Sequence, residues 1–158
     1  MTFIIDGTAG LTFNNATTQN SGGKVIQVVN ATYGTPVTNN TSTMASTGLT
    51  ASITPLFSTS KILVIASVAG LLKTTNNTAA TLQLYRNAGN IFQFALTGLA
   101  NNSTANNGGS ITTNYLDSPT TTSATSYTVY FASQQNNAGV TVQLNGDIST
   151  ITLMEIAA

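Results

Sequence analysis

Few side chains in this sequence could do acid, base, nucleophilic or metal chemistry. The 158 residues include no His and no Cys, with four Asp or Glu and four Lys or Arg. Without His or Cys, the usual Ser–His and Cys–His relays are impossible, as is a zinc site built on those ligands. Carboxylate chemistry is what remains, and the acids are Asp6, Asp117, Asp147 and Glu155. A glycosidase needs two carboxylates facing each other across a cleft. Asp117 ends a strand just before Ser118-Pro119, and Asp147 follows Asn145-Gly146. Both are ordinary positions for an Asp that shapes a turn. A calcium site needs several clustered oxygens, and the sequence has no Asp-rich run. Gly22-Gly23 and Gly108-Gly109 sit in polar linkers, outside the strand–glycine–helix setting of a phosphate loop. The expectation is a non-enzyme with no catalytic residue, no cofactor and no metal.

Glycan binding is harder to set aside. Tyr85, Arg86 and Asn87, or Tyr127 and Tyr130, are of types that stack on a sugar ring and hydrogen-bond its hydroxyls. A strand Tyr is more often a core or interface residue whose hydroxyl reaches the rim. Tyr85, Arg86 and Asn87 are the candidate receptor or glycan contacts.

Hydrophobic residues make up 41% of the chain, but charged ones only 5%, against about a quarter in ordinary domains. Thr, Asn and Ser fill the gap. Disorder would require low hydrophobicity and high net charge. Here the net charge is zero, so nothing draws nucleic acid or an anionic membrane by charge. The opening MTFIIDGTAG has neither a basic n-region nor a long apolar h-region, so no secretory signal is expected. The longest apolar run, Ile62–Leu72, is well short of the ~20 residues of a membrane-spanning helix.

The elements that would position these residues are strands. Ser60–Leu72, SKILVIASVAGLL, is dominated by β-branched residues and is apolar at odd and even positions alike. It reads as a central strand covered on both faces, one by the core and one by a loop or a partner subunit. Lys24–Tyr33, Gly48–Thr54, Ala80–Arg86, Ile91–Leu96, Ser110–Asp117, Ser126–Ser133, Val140–Leu144 and Ser149–Ile156 read as further strands, several with clean alternation. Asn87-Ala88-Gly89-Asn90 turns one hairpin, and Asn145-Gly146 is the strongest hairpin signal in the chain. Gly34–Ser46 reads as loop with an edge pairing, and Asn101–Gly109 as a long polar loop. The fold class is all-β, a β-sandwich or jelly-roll-like domain with a short extended amino-terminal arm.

That arm, Thr2–Asn20, reads as two extended pieces, Phe3–Ile5 and Leu11–Phe13, followed by a flexible Thr17–Gly23 link. Phe3, Ile5, Leu11 and Phe13 are too much apolar surface for it to leave exposed, which makes them the candidate attachment residues. Residues 1–20 are therefore an attachment arm and residues 21–158 the β-sandwich.

Asp6–Gln19, DGTAGLTFNNATTQ, resembles a segment written roughly DGTxGITFPDGTTQ in many tailed-phage virion proteins, with Asn14-Asn15-Ala16 where Pro-Asp-Gly is usual. The stretches GKVIQVV, SKILVI, LYRNAGNI, LDSPTTTSATSYTVYF and STITLMEIA, in that order, are similar to phage fibre carboxy-terminal domains. The resemblance implies a β-rich virion surface protein of the tail-fibre or receptor-tip type, usually trimeric. It also implies contact with other virion proteins through the arm and with a host-surface glycan through variable loops. No functional residue transfers. Capsid decoration, as a cement or head-fibre protein, is the alternative, and a glycan-binding module a second one. No nucleic acid partner and no membrane insertion are expected, and the place of action would be the virion, assembled in the host cytoplasm.

Overall fold

The strand over Ser60–Leu72 is indeed the spine, but only one of its faces is covered within the chain. The computed structural model describes residues 5–6, 10–12, 18–19, 24–101 and 106–157. In chain order the arm holds β1 (Ile5–Asp6), β2 (Gly10–Thr12) and β3 (Thr18–Gln19). The domain follows with β4 (Val25–Tyr33), β5 (Val37–Asn39), β6 (Ala45–Ile53), β7 (Lys61–Lys73) and β8 (Thr78–Arg86). It is completed by β9 (Gly89–Asn101), β10 (Asn107–Asp117), β11 (Thr125–Gln135), β12 (Val140–Val142) and β13 (Ser149–Ile156).

The pairings nest. β8 pairs with β9, β7 with β10, β6 with β11 and β4 with β13, all antiparallel. The chain is thus one long ribbon doubled back at Asn87-Ala88, where Asn87 takes the left-handed conformation (φ 54°) that Asn tolerates. Rolling the ribbon brings β13 against β7 and β11 against β8. One sheet then reads β4-β13-β7-β10 and the other β6-β11-β8-β9. That is a jelly roll of eight main strands, the fold class that the alternation and turn spacing predict.

Alternation decides what lies between the sheets. Ile62, Val64, Ala66 and Val68 of β7 meet Leu49, Ala51 and Ile53 of β6, Leu82 and Leu84 of β8, and Tyr127, Val129 and Phe131 of β11. Ile151 and Leu153 of β13 complete the layer. The phase shifts once in β7. Gly109 pairs with Leu71 but Ile111 with Val68, so an extra residue is accommodated around Ala69-Gly70, a β-bulge. Gly70 has φ 57°, and a Cβ there would lie 2.5 Å from the Leu144 amide nitrogen, so the position needs glycine. Past the bulge β7 exchanges β13 for the short β12, which also pairs with β5 at the edge.

Of the two covers expected for the outer face of β7, no loop among the described residues supplies one: Leu63, Ser67 and Ala69 are half-buried and Ile65 is 36% exposed. Other expectations need correction. Asn145-Gly146 does not make a hairpin. Leu144–Gly146 forms one 3-10 turn, and β12 and β13 lie end to end along the same side of β7 rather than beside each other. With only three residues, β12 offers too little ladder to hold β13, while β4 and β7 offer a full one. Finally, Thr18–Gln19, expected within a flexible link, pairs with β2 as a third arm strand.

The inward face of β7 sets a direct test. Val64 is fully buried in the core, so Val64→Asp places an unpaired charge there at a cost of several kcal/mol. The variant is expected in the insoluble fraction. Soluble Val64→Asp protein with wild-type thermal melting would contradict the assignment.

Candidate functional site

The sandwich has two unlike ends, and the sequence-nominated residues divide between them. At the root end the domain begins and finishes: the Ala157 amide donates to the Lys24 carbonyl at 2.9 Å. The turns 54–60, 87–88 and 118–124 gather there, since Ile53, Arg86, Gly89, Asp117 and Thr125 all end their strands at that edge. The far end gathers the segments 34–44 and 136–148, which include β5 and β12, and the turn 74–77, with Asn101 and Asn107 closing their strands beside them.

Two carboxylates sit at the root end, on either side of Ile62. Asp117 pairs with it from β10 and Glu155 from β13, and both acids are buried between the sheets. Each is taken up by donors. Arg86 Nη1 donates to both carboxylate oxygens of Asp117 at 3.0 Å, and the Tyr127 hydroxyl donates to Oδ2 at 2.7 Å. Asp117 belongs to one sheet, Arg86 and Tyr127 to the other, so this cluster bolts the sheets together. Glu155 Oε1 accepts the amides of Leu56 at 2.8 Å and Phe57 at 3.4 Å, which holds the 54–60 loop down. With its amide nitrogen turned toward them, Gln27 donates to Glu155 Oε2 and to the Thr54 carbonyl, each at 3.2 Å.

The electrostatics follow from burial. Burial, and then the hydrogen bond to the Asp117 carboxylate, hold Tyr127 well above the usual tyrosine range. A tyrosine that ionises near pH 10 when unfolded but stays neutral when folded contributes stability below that pH and loses it above. Asp117 was expected as a turn-shaping residue and Asp147 likewise. Asp147 is exposed at the far end beside the 3-10 turn, so the two acids weighed as a catalytic pair stand at opposite ends of the sandwich.

Tyr85, Arg86 and Asn87 go three ways. Tyr85 stacks on Tyr130 over the outer face of the second sheet, ring centroids 4.1 Å apart. Arg86 turns inward to Asp117. Asn87 is tied into its turn: its amide donates to the Ser126 carbonyl at 2.8 Å, and its Oδ1 accepts from the Ser126 amide and hydroxyl at 3.0 and 3.2 Å. Tyr127 is buried. In the arm, Ile5 pairs with Leu11 across β1 and β2, whereas Phe3 and Phe13 lie outside the described residues.

The far end explains where the Asn and Thr go. Asn39 Nδ2 donates to the carbonyls of Phe131 and Thr43 at 3.0 and 2.9 Å, and Thr38 and Thr141 hydroxyls meet at 2.8 Å. Thr78 donates to Asn136 Oδ1 at 2.6 Å, and Asn136 donates on to the Asn76 carbonyl at 3.2 Å. Asn77, Asn106, Asn137 and Asn145 all take positive φ. The connections are thus braced by neutral side chains that also tolerate left-handed backbone.

This eight-stranded jelly roll belongs to an architecture used by viral capsid proteins and lectins. No protein-family model matches the sequence, and no curated protein matches it. Among solved structures, the fold is similar to a chain of the T13 infectious bursal disease virus (IBDV) viral particle, with a TM-score of 0.50 and 9% identity. That match covers 88% of this chain and 39% of that one. The VP2 subviral particle of infectious bursal disease virus gives 0.46 and 12%, covering 82% of this chain and 39% of its own. The present chain spans about two-fifths of those chains, and at such identity the likeness is one of fold.

The root-end cluster predicts an alkaline signature. Between about pH 10 and the folded ionisation, wild-type stability falls by about 1.4 kcal/mol per pH unit from Tyr127 alone. Tyr127→Phe loses about 1.5–3 kcal/mol at pH 7 with its charge-assisted hydrogen bond and shows a shallower alkaline decline. Denaturant titrations at pH 7 to 11.5 check both, and parallel declines for the two proteins would contradict the assignment.

Proposed function

We propose that this chain is a non-enzymatic structural protein of a tailed-phage virion, a short tail fibre or similar surface appendage that serves in host attachment. The observation that carries the reading is the polarity of the domain. The first and last strands of the domain meet at the root end, where the arm joins, and the Asn/Thr-braced loops, which also carry Asp147, stand at the opposite end. An anchored appendage needs that layout: attachment at one pole, recognition surface at the other. A jelly roll suits a virion surface because most of its backbone is paired in two packed sheets, and the resemblance of Asp6–Gln19 to phage virion segments adds the arm as the joining piece.

The chemistry of the domain agrees. Of the three acids in the domain, Asp117 and Glu155 are taken up by the root-end fold, which leaves the far end with Asp147 among many hydroxyl and amide groups of the kind that hydrogen-bond a glycan. Phe3, Ile5, Leu11 and Phe13 are the residues through which the arm would enter another virion protein. Burying one such side chain is worth roughly 1.5–3 kcal/mol, so four contribute about 6–12 kcal/mol toward anchoring, against about 4–15 kcal/mol for association.

Deleting residues 2–19 tests the reading. The truncated domain is expected to keep its melting temperature and to be lost from purified virions, and labelling of the parent virions distinguishes a tail fibre from a head decoration. A sharp fall in melting temperature of the isolated protein, or undiminished incorporation, would overturn it.

A further inference from the structure

The outer face of the β4-β13-β7-β10 sheet carries a feature that the core does not use. The register aligns Val28, Met154, Leu63 and Leu116 in one row straight across the four strands. Val28 is 56% and Leu116 47% exposed, and Ile65 lies on the next row. Toward the root end the row is extended by Val25 and Ile156, and Leu56 and Phe57 stand exposed on the adjoining loop. Six of the eight exposed large hydrophobic residues among those described, Val25, Val28, Leu56, Phe57, Ile65 and Leu116, therefore lie on this face and its root-end margin. Such a cluster is on the order of 500 Å², the upper end of what a monomer leaves open.

We propose that this face is where copies of the chain pack against one another, deepening the virion reading by naming its self-association surface; only the expected stoichiometry of three rests on that reading. Two observations select a second copy as the occupant. The first is size: with the half-buried Leu63, Met154 and Ile156 around the exposed set, the surface approaches the ~800 Å² per partner of a stable interface. The second is charge. Asp117 and Glu155 turn inward, so among the described residues the face has no acid, and its only cations are Lys24 and Lys61 at the margin. A basic partner finds no acid to pair with there and an acidic one only two marginal lysines, whereas an identical face brings no charge into the apolar row. Beyond the apolar row come Asn30, Thr152 and Asn114, then Thr32, Thr150, Ser67 and Thr112, in register. Asn30 Nδ2 already bonds Thr152 Oγ1 at 2.9 Å and Thr112 Oγ1 bonds Ser67 Oγ at 3.0 Å. The face thus runs from an apolar root-end half to a polar half, the two kinds of surface that a protein interface combines.

The test is the mass of the purified full chain by size exclusion with light scattering at micromolar concentration. Wild type is expected at three times the 16.2 kDa chain mass, and the Val28→Glu/Leu116→Glu double variant at the monomer mass with unchanged circular dichroism. Leu96→Glu, at an exposed position of the other sheet, is expected to keep the wild-type mass. Should the double variant not fold, single Val28→Cys and Leu96→Cys variants serve, because the chain has no other Cys. Thiol labelling at position 28 is then expected at least tenfold slower than at 96. A monomeric wild type, a double variant of wild-type mass, equal labelling rates, or loss of the oligomer on deleting residues 2–19 would each overturn the proposal. None of these measurements involves virions, so failure of the virion reading would be seen separately.

Discussion

Burial of Asp117 between Arg86 and Tyr127 is the constraint from which much of the molecule follows. A jelly roll joins its two sheets by turns and by apolar contact, and neither fixes how the strand ends meet. Here a charge-assisted cluster does so, with Oδ2 of Asp117 on one sheet held by a guanidinium and a hydroxyl from the other. Removing the guanidinium would leave the buried Asp117 with the Tyr127 hydroxyl alone, at a cost below the ~3–5 kcal/mol of a fully buried pair because Arg86 is itself a third exposed. Glu155 acts likewise on the 54–60 loop through backbone amides. In a protein with four acids, committing two of them to one end has a consequence at the other surfaces. Asp147, exposed at the far end, is the one acid of the domain left to them.

What those surfaces can do is set by that scarcity. Long-range steering of charged partners is closed to a molecule of zero net charge. Recognition then rests on apolar area and on hydroxyl and amide groups, which act at contact range and are little affected by salt. The two resources are segregated. Apolar area lies on the outer face of the β7 sheet and at the root end, while Asn and Thr crowd the far-end connections, where they brace the backbone as well as cover it.

Much of the fold was legible because its signals are local. SKILVIASVAGLL announces a central strand by β-branched apolar residues alone, and Tyr127, Val129 and Phe131 announce their inward face by alternation. The Asn87-Ala88 turn was legible because two alternating runs flank it directly. Pairing between distant strands was not, since nesting β4 with β13 depends on how the ribbon rolls rather than on any short segment. Asn145-Gly146 misled for that reason: its positive-φ pair is real, but the strand before it is too short to claim the strand after it. The role of Asp117 was hidden because Asp before Ser-Pro is a good turn residue, and its partners lie 31 and 10 residues away. Apolarity on both faces of β7 was read as coverage by a loop or a partner subunit; within one chain its outer face is a partly exposed row.

The most direct measurement of the central claim, a polar appendage anchored by its root end, is cryo-electron microscopy of virions bearing a small tag inserted between Asn76 and Asn77. The account predicts one tagged density per subunit at the tip farthest from the particle, with the sheet ends at Lys24 and Ala157 toward the virion body. Tag density pressed against the particle, or virions without the protein, would contradict it.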